Sequence, residues 1–295
     1  MSQSKLFETV ALIGVGLIGG SLARVIRREG MAGRVSAYSR RAETRARVRE
    51  LALVDQVCDT IEASVADADL VVLCAPVGAN AEIARAIGPR LRPGAIVTDV
   101  GSVKRAVIDA VAPHLPAGVH LVPGHPIAGT EHSGPDSGFA DLFRDRWCVL
   151  TPPPATDPDA VERVAAMWRR AGMVVDLLTA EHHDMVLAIT SHIPHLIAFN
   201  IVGTVADLED LTKKEAIKYA AGGFRDFTRI AASDPVMWRD VFLYNREAVL
   251  EMLGRFTEDL ASLQRAIRWG DGATLEAMFA RTRAIRRGVI DAHQV

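Results

Sequence analysis

The sequence predicts two parts of different class: an α/β part with a parallel sheet over residues 1–178, then an all-α part over residues 179–295. Three observations predict it. A glycine-rich turn, Gly14 to Gly20, joins an apolar strand to a helix. Strand and helix signals then alternate as far as Leu178. From Ala180 onward strand signals stop, leaving apolar residues at spacings of three and four. A chain of 295 residues with 49% hydrophobic composition can fill two cores. The formal net charge of -2 gives no electrostatic reason to expect nucleic acid or an anionic membrane as partner. The arginines between Arg281 and Arg287 read as a solvated helix face. Cys58, Cys74 and Cys148 are odd in number and widely spaced, as in a reduced cytoplasmic protein without a disulfide framework. The longest apolar run, Val10 to Ala23, is stopped by Arg24 and is shorter than the about 20 residues of a membrane span. It is not an export signal either.

In chain order, Phe7 to Ile13 reads as a buried strand and Ser21 to Arg28 as a helix, with Gly14-Val15-Gly16-Leu17-Ile18-Gly19-Gly20 between them. This is G-x-G-x-x-G in the context of strand, turn and helix. Gly14 permits the tight turn, Gly16 lets backbone approach a pyrophosphate, and Gly19 allows the helix to lie close to the strand. Leu17 and Ile18 lie in this turn as candidate cofactor contacts, and the N-terminal N–H groups of the helix that follows face the phosphates. The α/β part is therefore read as a Rossmann-type dinucleotide-binding domain. The second strand, Arg34 to Tyr38, ends in Ser39-Arg40-Arg41, with Thr44 a turn later. No Asp or Glu stands where an NAD site holds the ribose 2′-hydroxyl. Ser39, Arg40, Arg41 and Thr44 instead suit a 2′-phosphate, favouring NADP over NAD. The plainer alternative has Arg40 stacked on adenine and Arg41 solvated.

Leu70 to Ala75 reads as a strand ending in Pro76, with helix to about Arg90. Ala95 to Val100 is the next strand, leading through Gly101-Ser102 into a helix from Val103 to about Ala112. Ligands bind beyond the carboxyl ends of such parallel strands. Ala75 and Pro76 are thus candidate cofactor contacts, and Pro76, Ser102 and His125 should converge on one crevice. His125 lies in Pro123-Gly124-His125-Pro126-Ile127-Ala128-Gly129-Thr130-Glu131, read as a site-bearing loop between strands. A helix from Pro158 to about Arg170 and a last strand, Met173 to Leu178, follow.

In the helical part, Leu250, Leu253, Phe256, Leu260, Leu263 and Ile267 make one stripe, and excess apolar surface predicts a helix-mediated dimer. Two clusters stand out. Glu181-His182-His183-Asp184 leads to Ser191-His192-Ile193-Pro194-His195. His192 and His195 are three apart around a proline, unlike the i, i+4 pair of zinc helices, so an anion- or substrate-binding role or a structural cap is preferred to a metal. Gly222-Gly223-Phe224-Arg225-Asp226-Phe227-Thr228-Arg229 combines a backbone kink with guanidinium groups suited to a carboxylate, or with an ordinary Arg225–Asp226 ion pair.

Together these motifs resemble the prephenate/arogenate (cyclohexadienyl) dehydrogenases of tyrosine biosynthesis. The resemblance runs through the glycine turn, Asp99-Val100-Gly101-Ser102-Val103-Lys104, the segment Gly124 to Glu131, Ser191 to His195, and Gly222 to Arg229. It implies oxidation of a ring hydroxyl carbon with loss of the ring carboxylate as CO2. It makes His125 the proton acceptor, with the ordinary histidine pKa near 6.5, and gives Ser102 the task of orienting its imidazole. Arg229 would bind a substrate carboxylate, with His195 and Thr130 lining the pocket. Glu131 would stand at the mouth near Arg225 and Asp226 of the other subunit, with Gly222 beside them. The chain's extent leaves no room for a fused mutase or regulatory domain. Two alternatives are a β-hydroxyacid-type dehydrogenase and a non-catalytic NADP-binding sensor. The first wants a lysine with asparagine four residues on, which Lys213, Lys214 and Lys218 lack. The second leaves His125, Ser102 and Arg229 without a task.

Overall fold

The computed structural model describes residues 4–130, 132–208, 215, 218–219 and 222–291, and the backbone divides into two compact units, 1–246 and 247–295. The first unit is built on a six-stranded parallel sheet. Its strands are β1 (Phe7–Ile13), β2 (Ala32–Tyr38), β3 (Gln56–Val57), β4 (Leu70–Leu73), β5 (Ile96–Asp99) and β6 (His120–Leu121), in spatial order 3-2-1-4-5-6. The order reverses between β1 and β4, and that switch point is where the crevice for a dinucleotide opens.

Central strands β4 and β5 are buried on both faces, and β1 is so except at Glu8, because helices cover both. Val10 and Leu12 face α1 (Leu17–Arg28) and α6 (Pro158–Arg170), packing with Leu22, Ile26, Val164 and Trp168. Ala11, Ile13, Val71 and Val97 face α3 (Ile61–Val65), α4 (Asn80–Ile87) and α5 (Lys104–Val111), with Val65, Ile87, Val107 and Val111. Each Val, Leu or Ile among them, fully buried, contributes about 1.5–3 kcal/mol. The remaining helix of this half, α2 (Ala42–Glu50), follows β2.

A second, three-stranded sheet was not foreseen. Its members are β7 (Gly124–Pro126), β8 (Trp147–Leu150) and β9 (Val174–Leu177). The His125 segment is therefore not a loop at the histidine itself: β7 pairs antiparallel with β8, and His125 lies opposite Val149. A Cβ on Gly124 would meet the Asp99 carbonyl oxygen at 3.2 Å, so the missing side chain lets β7 pass close over the end of β5.

The first unit continues beyond residue 178 through α7 (Ala180–Leu187), a π-helical turn (Ala188–His192), α8 (Ile193–Ala206), α9 (Gly222–Thr228), a 3₁₀ turn (Arg229–Ala232) and α10 (Pro235–Tyr244). Helix α7 packs on α5, and α10 on the turn Val77–Ala79 at the end of β4. The run 180–206 is long and apolar enough to span a membrane by composition, at mean hydropathy 1.6. Its His183, Asp184 and His192 are nonetheless buried and hydrogen-bonded within the fold. The second unit is α11 (Arg246–Trp269) and α12 (Gly272–Asp291). Gly270 turns between them in the left-handed region, and Asp271 caps α12 through the Thr274 N–H. Of the predicted stripe, Leu250, Leu260 and Ile267 are exposed.

Candidate active site

The glycine turn is shaped by close approach. Gly14 has φ of 96°, donates its N–H to Tyr38 O at 2.8 Å, and a Cβ there would stand 2.8 Å from Cys74 O. A Cβ on Gly19 would come 2.3 Å from Gly14 O, so α1 can lie on the turn only if that residue has no side chain. Gly16 differs: a Cβ there would meet nothing within 4 Å. The turn presents open space at the head of α1, which has no side-chain cap and no acid in its first turn. Half-buried Leu17 and Ile18 begin that helix. Unpaired N–H groups at the positive end of a helix fit a pyrophosphate.

Among the expected 2′-phosphate residues, Ser39 is drawn inward. It is buried, and its Oγ accepts the Val15 N–H at 3.1 Å, tying β2 to the glycine turn. Arg45 braces the same corner, donating from Nη1 to Ser39 O at 2.8 Å and Arg40 O at 3.0 Å. Arg40 and Arg41 are exposed and Thr44 half-buried. Ala75 is half-buried and Pro76 exposed just past β4.

At the neighbouring strand end, His125 is buried and its Nδ1 lies 2.8 Å from His183 Nε2. His183 Nδ1 lies 2.8 Å from Asp184 Oδ1. Asp184 in turn caps α5 from outside, accepting the Lys104 N–H at 2.7 Å and the Arg105 N–H at 2.9 Å. Below β7, the fully buried Lys104 ammonium donates to Asp99 Oδ2 and, at 2.7 Å, to Gly124 O. Asp99 Oδ1 accepts the Gly124 N–H at 3.1 Å. Strand β7 is thus fastened from beneath by one ion pair. Asn245 donates to Asp184 O at 2.8 Å and sits 3.0 Å from His192 Nδ1, while His192 Nε2 is buried without a protein partner among the described residues.

Ser102 is half-buried past β5, but among the described residues no hydrogen bond joins it to His125. The orienting contact expected of Ser102 is made by His183, because α7 reaches the Nδ1 side of the ring. His195 donates from Nδ1 to Ser191 O at 2.9 Å and stacks on Trp238, ring centroids 3.7 Å apart. Trp238 is also packed with Val103, next to Ser102. Arg229 is near enough for its charge to act on His195. Arg225, Asp226 and Gly222 are exposed on α9, and Thr130 is exposed beyond β7. Glu131 lies outside the described residues.

His125 does not keep the ordinary histidine pKa assumed from sequence. Burial pushes it well below 6.5, and the charges of His183, Lys104 and His192 push it further. Burial lowers His183 too, against the opposing pull of its Asp184 hydrogen bond, and brings His192 down to about 4. His195 is lowered by burial and then by Arg229. Lys104 is pulled down by burial while Asp99 holds it up. At neutral pH the imidazoles are uncharged, so His125 carries a lone pair able to take a proton. Sequence reasoning singled out His183 and Asp184 as a cluster without giving them to His125. It placed Asp99 and Lys104 in a motif without giving them a task, and it missed Asn245 and Trp238.

A parallel sheet with a phosphate cradle at its switch point, beside a desolvated neutral histidine, defines a dinucleotide-dependent oxidoreductase. Residues 22–177 match the nucleotide-binding domain of prephenate dehydrogenase, and residues 179–281 its dimerization domain. The chain is 42% identical to cyclohexadienyl dehydrogenase of Zymomonas mobilis, over 98% of each chain. It superposes with TM-score 0.88 and 35% identity on prephenate dehydrogenase of Aquifex aeolicus, solved with hydroxyphenyl propionate and NAD+, covering 98% of this chain and 100% of that one. For Synechocystis arogenate dehydrogenase the TM-score is 0.81 and the identity 29%, over 95% and 99%. The chain belongs to the prephenate dehydrogenase family. Membership displaces both the β-hydroxyacid and the sensor alternatives.

Proposed function

We propose that the protein oxidises prephenate, arogenate or both, with loss of CO2, and that it uses NADP in preference to NAD. The observation that carries the reading is His125: buried, neutral, held at Nδ1, and set on β7 over the end of β5. Its Nε2 would accept the ring hydroxyl proton. The bound nicotinamide supplies the hydride acceptor. As the ring carboxylate leaves as CO2, its bonding pair enters the ring, and the resulting phenolate oxygen takes back a proton from His125. Aromatisation drives the step, so the residues mainly position and desolvate the reactants. Arg229 would bind a substrate carboxylate, with His195 and Thr130 lining the pocket. Glu131, with Arg225, Asp226 and Gly222 of a second subunit, would form the mouth. Exposed Ile201, Val202, Leu250, Leu260 and Ile267 favour a homodimer. Three unpaired cysteines suit a reducing cytoplasm.

The deciding experiment is a steady-state grid of two substrates against two cofactors, with CO2 measured. Turnover of neither substrate with either cofactor overturns the reading. The cofactor preference has its own test. Arg40 and Arg41 stand exposed at the end of β2, so Arg40→Asp should shift the ratio of kcat/KM values towards NAD by about tenfold, one lost charge-assisted contact. An unmoved ratio removes the NADP assignment.

A further inference from the structure

We infer that His183 and Asp184 are positioning residues that hold the proton of His125 on Nδ1 and so aim its Nε2 lone pair at the substrate hydroxyl. The inference rests on the reading of His125 as proton acceptor and deepens it.

A neutral imidazole has two tautomers, and only the Nδ1–H form leaves Nε2 able to take a proton. Here the choice is made two residues back along a chain of contacts. Both Asp184 oxygens already accept backbone N–H groups at the head of α5, which fixes the carboxylate as an acceptor. His183 Nδ1, 2.8 Å from Oδ1, must therefore be the donor. A neutral His183 then has only a lone pair at Nε2. That atom faces His125 Nδ1 at 2.8 Å, so the proton between the rings belongs to His125.

The surroundings support a neutral His183. It is fully buried, with the Lys104 ammonium nearby and bonded to Asp99 below β7, and His192 held by Asn245 on the adjoining turn. Were His183 to carry two protons, it would donate to His125 Nδ1 and force the proton of His125 onto Nε2, abolishing the base. When His125 accepts a proton, the positive charge it gains lies one imidazole away from the Asp184 carboxylate, which offsets it.

Tautomers are read directly from two-bond ¹H–¹⁵N spectra of protein labelled at histidine. His125 and His183 should both appear as Nδ1–H forms in the unmodified chain; an Nε2–H signal from His125 overturns the inference. His183→Leu removes the acceptor and should lower kcat by about 10²-fold or more, as losing the correct tautomer does in related acid–base sites. The cofactor dissociation constant should stay unchanged. His183→Gln, whose side-chain carbonyl can accept the same proton, should keep the Nδ1–H signal and recover about a tenth or more of kcat. Equal loss in both variants with the His125 tautomer unchanged would mean a packing role only and would sink the proposal. Should His183→Leu not fold, the unmodified spectrum and His183→Gln still decide. The spectra do not depend on turnover: an inactive protein with Nδ1–H on His125 would refute the proposed reaction and leave the positioning intact.

Discussion

The two halves of the site are held in opposite ways. The cofactor cradle is local: Gly14, Gly16 and Gly19 lie within one turn, with Cys74 O and Gly14 O close to where side chains on Gly14 and Gly19 would be and open space at Gly16. The catalytic end is assembled at long range. His125 depends on His183, 58 positions away, and on an Asp99–Lys104 pair that fastens the strand carrying it. A cradle made of missing side chains tolerates change almost nowhere within a few residues. A relay made of contacts can be weakened one link at a time, and each link should show a separate effect.

The largest effect is expected at the relay's end. His125→Asn should lower kcat by about 10²–10⁴, the usual worth of a general base, while the cofactor dissociation constant holds. Loss of cofactor affinity in step with kcat would erase the distinction between the two halves. One layer below, Lys104→Met leaves Asp99 buried without its cation. That costs about 3–5 kcal/mol of stability, measured by urea unfolding. Since Lys104 also donates to Gly124 O, the same variant should reduce kcat although it touches no substrate.

On the cofactor side, Gly19→Ala puts a Cβ against backbone that cannot retreat as a side chain could. Overpacking of about 1–3 kcal/mol is expected. Here the cofactor dissociation constant should rise at least about tenfold, with kcat at saturating cofactor little changed. The opposite pattern would show that the turn and the relay are mechanically joined.

The same contrast explains what was legible in the sequence. The glycine turn, the strand ends and α6 could be read because their causes lie within a few residues: a period, a cap, a turn. The strand at Gly124–Pro126 could not. It is three residues long, contains a proline and a glycine, and pairs only because β8 lies alongside. The role expected of Ser102 went to His183 because nothing in the spacing says which face of the imidazole α7 will reach. Lys104, five residues after Asp99, stands in the same motif without a partner until the fold closes β7 over it. Trp238 could be placed against His195 only once α10 was packed against β4's end.

The smallest effect falls on stability, and its sign follows from the direction of the histidine shifts. His125, His183, His192 and His195 all bind a proton less readily in the folded chain than in the unfolded one, where the pKa is near 6.5. Below that value the unfolded chain takes up more protons, so unfolding is favoured as pH falls. The stabilisation is complete above pH 6.5 and is lost on the way down to each folded pKa. For His192, whose folded value is about 4, the window runs from about 6.5 to about 4. At pH 5 that residue alone should account for about 2 kcal/mol, 1.36 kcal/mol for each unit below the unfolded pKa. Urea unfolding at pH 7.5 and pH 5 measures the loss, and His192→Asn should shrink it by about that amount. The glycine turn contains no group that titrates in this range, so NAD affinity of the folded protein should stay level over the same interval. A stability that is flat with pH would mean that the buried histidines are not held neutral, and the lone pair on His125 would lose its physical basis.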